Sequence, residues 1–167
     1  IVFIQETLGT LTQDLGLLVV FLGLGLFLGS LAYGRLGKNV NCFKTIFSSL
    51  FSGGMILAVF AFLLVRFPHF YTAAGLSFIL GLSIAPIMTA SNTIVLDLST
   101  ENMRGKVFSA LEIVMHLAFL LFMFLGSALA EFKPVGRQGL LIGVGAAFSL
   151  IGFMGFLRYK VYHAKVS

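Results

Sequence analysis

The sequence predicts an all-α fold, a polytopic transmembrane bundle of about five helices, and three observations lead there. Only 10% of the 167 residues are charged and 59% are hydrophobic, against roughly 25% and 45–50% in soluble domains. Mean hydropathy is +1.06, so most of the chain cannot present a wetted surface. The apolar residues also fall into five runs long enough to cross the hydrocarbon, which takes about 20 residues each.

The first span is expected over residues 15–34. Gly16, Gly23 and Gly34 share one narrow arc at the helical period, and Gly25 and Gly29 form a Gly-x-x-x-Gly step on the opposite face. Small residues let membrane helices approach closely, so two such faces predict a helix sandwiched between neighbours. The second span covers 43–65. Cys42, the only cysteine, stands at its start and reads as a small residue near a helix end; with one cysteine no internal disulfide or cysteine metal cluster forms.

The third span, 70–96, is the least lipid-like. Ser77, Ser83, Thr89, Ser91, Asn92 and Thr93 point in several directions and Pro86 interrupts the backbone ladder. The carbonyl freed by a proline needs another partner, and Ser83 and Thr89 are near enough to supply one. Ser83, Pro86, Thr89, Asn92 and Thr93 are therefore the candidates to line an aqueous cavity. A purely structural kink is the competing reading.

The fourth span, 107–130, carries the sharpest pattern. Ser109, Glu112, His116, Met123 and Ser127 fall within roughly a 60° arc at the 3.6-residue period, and the rest of the helix is apolar. Glu112 and His116 are four apart, so their side chains can meet. Ionisable residues inside a span usually face a cavity or a partner, which makes the pair a candidate for proton coupling on a buried face. A fixed hydrogen bond, or Glu112 reaching water near the helix end, would read the same. The fifth span, 139–157, repeats the glycine pattern with Gly139, Gly143, Gly152 and Gly155.

Orientation follows from the basic residues. Arg35, Lys38, Lys44, Arg104, Lys106, Arg158, Lys160 and Lys165 lie on one side, and Arg66, Lys133 and Arg137 on the other. The richer side faces the cytoplasm, so both loops there and the 158–167 tail are expected inside. Residues 1–14 are then an extracytoplasmic stub carrying the end of a preceding helix, and the chain is expected to be a fragment. The net charge of +5 does not indicate nucleic acid, because the basic residues are scattered among apolar spans.

Two loops carry a resemblance. Gly29-Ser30-Leu31-Ala32-Tyr33-Gly34-Arg35-Leu36-Gly37-Lys38 resembles the glycine-and-basic loop between the second and third helices of each six-helix half in the major facilitator superfamily. The acidic residue usual in that loop is absent, with Tyr33 or Lys38 in its place. Asn92 to Asp97, then Ser99 to Ser109 with its run Arg104-Gly105-Lys106-Val107-Phe108, resembles the stretch between the tenth and eleventh helices of bacterial facilitators. Thr100 is suited to cap a helix start, and Asp97 is placed to pair with Arg104 across the turn.

The resemblance covers nearly the whole chain and matches the five spans to helices eight to twelve, a partial facilitator half. It implies a secondary active transporter, a permease or antiporter, that moves a small solute by alternating access. It also implies a bacterial cytoplasmic membrane and a missing N-terminal half as partner. Gly29, Arg35, Lys38, Asp97, Arg104 and Gly105 become candidates for cytoplasmic gating. The third span would line the cavity and the fifth would face lipid.

The alternatives are a small membrane scaffold or assembly protein and a membrane-embedded lipid-metabolism enzyme. The enzyme would need a catalytic cluster, and neither His-Glu-x-x-His nor Gly-x-Ser-x-Gly occurs. His69, His116 and His163 are too dispersed for a metal site, so no metal, cofactor or catalytic residue is expected.

Overall fold

The computed structural model describes residues 12–37, 40–130 and 136–164. Every element among them is helical: α1 Thr12–Leu36, α2 Cys42–Arg66, α3 Phe70–Leu98, a 3-10 turn Glu101–Met103, α4 Arg104–Ala130 and α5 Gly136–Ala164. Five of these are long and apolar enough to cross a membrane.

Each helix runs past the limits that hydropathy assigns. Hydropathy marks the stretch that lipid accepts, whereas a helix continues until its backbone bonding is broken, and the flanking polar residues do not break it. The fifth helix accordingly carries on through Arg158 to Ala164, so most of the expected tail is helical. A sharp stop occurs where proline forces one. The Phe67 amide closes α2 on the Leu63 carbonyl at 2.8 Å, Pro68 ends the run, and the His69 carbonyl opens α3 by accepting the Thr72 and Ala73 amides.

The helices pack as a row. α1 lies along α3, α3 along α2, and α2 along α5, while α4 touches α5 and α3 only slightly. Residue order at the contacts gives direction. Going down α1 from Gly25 to Gly29, the α3 neighbours shift from Phe78 and Leu82 to Leu82 and Ala85, so that pair is parallel. Gly54 meets Gly145 and Ser149, while the earlier Phe51 and Phe47 meet Gly152 and Gly155, so α2 and α5 are antiparallel. Both directions agree with a chain that crosses alternately.

Small residues set both close pairs. A Cβ on Gly25 would overlap the Phe78 carbonyl, and one on Gly81 would overlap the Leu22 carbonyl, so Gly25/Gly29 of α1 interlock with Gly81/Ala85 of α3. A Cβ on Gly54 would stand 2.6 Å from the Gly145 oxygen, and one on Gly145 would stand 2.7 Å from the Gly54 oxygen. Lipid supplies no hydrophobic drive between helices, and close backbone approach is what makes such pairs cohere.

Only one of the two glycine faces expected on α1 is used. Gly16, Gly23 and Gly34 have nothing within reach of an added Cβ. The expected sandwich is therefore a one-sided contact, with the other glycines facing away from the rest of the described chain. In α5, Gly152 and Gly155 pack as expected, Gly143 is open, and Gly145, outside the expected pattern, meets the backbone of Gly54 and Ala58.

Side chains close the core at the end where α1 and α3 begin and α2 finishes. Leu18, Phe60, Leu64, Ala73 and Ala74 cluster there with Leu15, Phe70 and Leu76 against them. Leu64 is fully enclosed.

Candidate functional site

The polar stripe of α4 is the most site-like feature of the described chain. Ser109, Glu112 and His116 line an open hollow with Ile113, Leu117 and Leu120. Since all six residues belong to one helix, this is a helix face without a cover and not an enclosed cavity. None of the most apolar stretch of α4 is buried, and Glu112, His116, Met123 and Ser127 are all exposed. Among the described residues nothing packs over this face, where the sequence reading expects a buried one.

The two ionisable residues also meet differently than their spacing suggests. His116 Nδ1 lies 2.7 Å from the backbone carbonyl of Glu112, and among the described residues no ion pair joins the two side chains. A carbonyl only accepts, so Nδ1–H must donate. That bond holds the ring along the helix. Glu112 lies one helical turn before it on the same hollow, about 12 Å along the axis from the start of α4 at 1.5 Å per residue.

The α3 residues expected at a cavity are spread around the helix. Ser83, Pro86, Thr89 and Thr93 are half-buried and Asn92 is exposed. Thr89 donates to the Ala85 carbonyl at 3.2 Å and Thr93 to the Thr89 carbonyl at 2.9 Å, so both hydroxyls serve their own helix. Thr89 does not reach the carbonyl of Leu82, the one that Pro86 deprives of its α-helical donor. That oxygen faces Gly29 of α1 instead, where an added Cβ would come within 2.7 Å of it. The α3 hydroxyl that the structure does enclose is Ser77, 7% exposed on a turn beside the small residues Ala73 and Ala74.

The loop candidates separate. Gly29 lies within α1 and packs on α3, away from the loop it was grouped with. Arg35 occupies the last turn of α1 and is exposed, and Lys38 lies outside the described residues. Asp97 and Arg104 are both exposed and no ion pair joins them, because the 3-10 turn between them carries the chain around without one. Thr100 holds that turn through its carbonyl, which accepts the Met103 and Arg104 amides at 2.9 and 3.1 Å; its side chain makes no cap bond. Gly105 has open space around it.

Sequence reasoning named Tyr33 only as a replacement in the resembled loop and missed its contact with Cys42, whose Sγ lies 4.0 Å from the tyrosine hydroxyl. The available signal was an aromatic residue standing where the resembled loop carries an acid. Among the described residues, no three His, Cys, Asp or Glu side chains gather as for a metal.

The family model described as Major Facilitator Superfamily matches residues 1–166. The chain belongs to the major facilitator superfamily. No curated protein and no solved structure matches it. Major facilitator proteins are membrane transporters and not enzymes, and the five apolar helices described above are those of an integral membrane protein. The α4 stripe, the α3 hydroxyls and the Tyr33 turn thus belong to a transporter's frame.

Proposed function

We propose that this chain forms part of a secondary active transporter that moves a small solute by alternating access, with proton coupling through Glu112 and His116. The observation that carries the reading is the α4 stripe. Four helices interlock, while the fifth turns its two ionisable residues outward within a span that lipid would penalise. Such a face is expected to be covered by further helices of the working transporter, the N-terminal half inferred from the resemblance. The path would then run between that half and α3, with Ser83, Pro86, Thr89, Asn92 and Thr93 toward it. The Arg35 and Arg104 ends and the C-terminus would lie in the cytoplasm of a bacterial inner membrane, on the positive-inside bias.

The test uses the full-length protein in proteoliposomes loaded with a pH dye and challenged with sugars, amino acids and cationic drugs in turn. Proton movement is expected with one of these classes. Glu112→Gln and His116→Gln are then compared in gradient-driven uptake and in solute exchange, which needs no net proton movement. Coupling predicts that uptake fails while exchange survives in at least one variant. Equal loss of both activities would assign the pair to packing, and full activity in both variants would remove it from the mechanism.

A further inference from the structure

We propose that the basic end of the α2/α5 pair holds an anionic phospholipid, its phosphate at Lys44 and Lys160 and its acyl chains against Phe51 and Phe153. The inference does not rest on the transport reading, nor on which leaflet that end faces.

Charge is unevenly placed along the chain. No acidic residue occurs between Asp14 and Asp97 or after Glu131, so α2 and α5 have none. Asp97 and Glu101 share the α3–α4 turn with Arg104 and Lys106 and balance them. At the base of the α2/α5 pair, Lys44, Arg158 and Lys160 have no acid on either helix to offset them. Lys44 and Arg158 are exposed, and neither makes an ion pair among the described residues.

The fold brings these cations to one end of an apolar groove. Gly54 meets Gly145 and Ser149, and Phe47 meets Gly152 and Gly155. Continuing that antiparallel register sets Lys44 level with Leu157. Phe51 and Phe153 bridge the two helices, their ring centroids 6.1 Å apart. Lys44 stands seven residues before Phe51, and Lys160 seven after Phe153. Two helical turns keep each lysine position on the face of its ring. Phe51, Met55, Phe153 and Leu157 are all exposed, so apolar surface runs down the groove away from the basic end. The acidic Asp97 belongs to α3, which packs on another side of α2. Its Ile84 meets Gly53, roughly 200° round the helix from Phe51.

Cations above exposed rings select the occupant. A free phosphate would use the lysines and leave the rings bare. A zwitterionic lipid already offsets its phosphate with its own ammonium group. An anionic phospholipid matches both parts, since basic residues at the membrane surface attract its headgroup and the rings receive its chains.

The chain has no tryptophan, so Met55→Trp, one turn beyond Phe51, makes a single reporter. Any tryptophan outside this chain is replaced by phenylalanine. The full-length protein is placed in phosphatidylcholine vesicles holding a minor fraction of phosphatidylglycerol with brominated acyl chains, which quench a tryptophan they touch. Brominated phosphatidylcholine at the same fraction is the reference. The anionic lipid is expected to quench more strongly. Lys44→Gln and Lys160→Gln should each weaken that preference about fivefold, the weight of one basic residue at an anionic surface, and the double variant should lose it. Lys44→Arg should keep it, and Lys106→Gln, in the balanced turn, should leave it unchanged. Inorganic phosphate at matched ionic strength should not displace the lipid. Equal quenching by the two lipids in the parent, a preference that survives in the double variant, or displacement by inorganic phosphate would each overturn the proposal.

Discussion

The backbone carbonyl of Leu82, stripped of its helical donor by Pro86, faces Gly29 of the neighbouring helix. A proline inside a helix removes an amide and crowds the carbonyl four residues earlier. Here the crowded carbonyl lies where α1 has no side chain, so the irregular turn of α3 is accommodated by a glycine. A Cα–H contact to a carbonyl is weak, yet no larger residue leaves the oxygen room. The helix continues unbroken from Phe70 to Leu98.

Gly29→Val is therefore expected to be destabilising. An added Cβ would meet both the Ala85 methyl and the Leu82 oxygen at 2.7 Å, and overpacking of this kind costs about 1–3 kcal/mol. Gly23→Val, on the open face of the same helix, should be near neutral. Thermal unfolding of the two variants in detergent compares them directly, and equal melting temperatures would contradict the interlock.

Ser77 and Leu64 should respond in opposite ways. Both are enclosed, but the Ser77 hydroxyl makes no hydrogen bond among the described residues. Ser77→Ala removes a polar group that gains nothing from burial, so stability should hold or rise. Leu64→Ala opens a cavity in a fully packed position and should cost about 2–5 kcal/mol. A marked loss of stability in Ser77→Ala would show that its hydroxyl has a partner in the assembled transporter.

The bond from His116 to the Glu112 carbonyl specifies a tautomer. Neutral His116 should carry its proton on Nδ1, leaving Nε2 as the site where a second proton enters. Nitrogen-15 NMR of selectively labelled histidine in the full-length protein distinguishes the two tautomers. A neutral ring protonated on Nε2 would mean that the ring has turned away from the helix, and would remove the geometry on which coupling rests.

Orientation can be read from the native thiol. If the basic side is cytoplasmic, Cys42 should resist a membrane-impermeant maleimide applied to intact cells and react once the membrane is opened. Labelling from outside would invert the topology, and with it the assignment of Arg35, Asp97 and Arg104 to the cytoplasmic ends.

Much of the architecture was legible from residue order alone, because a membrane span is a local sum. Twenty or so apolar residues in a row require lipid wherever their neighbours lie, and Pro68 ends a helix without help from distant residues. The loops around Arg35 and Arg104 were enough to indicate the superfamily, since their chemistry is carried by short contiguous runs. The helical period also placed Glu112 and His116 on one face.

What the period cannot state is which face meets a partner. Gly16, Gly23 and Gly34 formed as regular a stripe as Gly25 and Gly29, and only the approach of α3, with Gly81 and Ala85 at matching height, decided between them. The same holds for Glu112 and His116: spacing allowed a side-chain pair, but the ring bonded to a backbone carbonyl. The contact of Tyr33 with Cys42 was silent because the two come together only when the chain turns between α1 and α2. Hydrophobic length and charge side are properties of one segment, so this sequence determined them by itself. Contact faces and side-chain partners depend on the distance and register between two segments, which only the folded bundle sets.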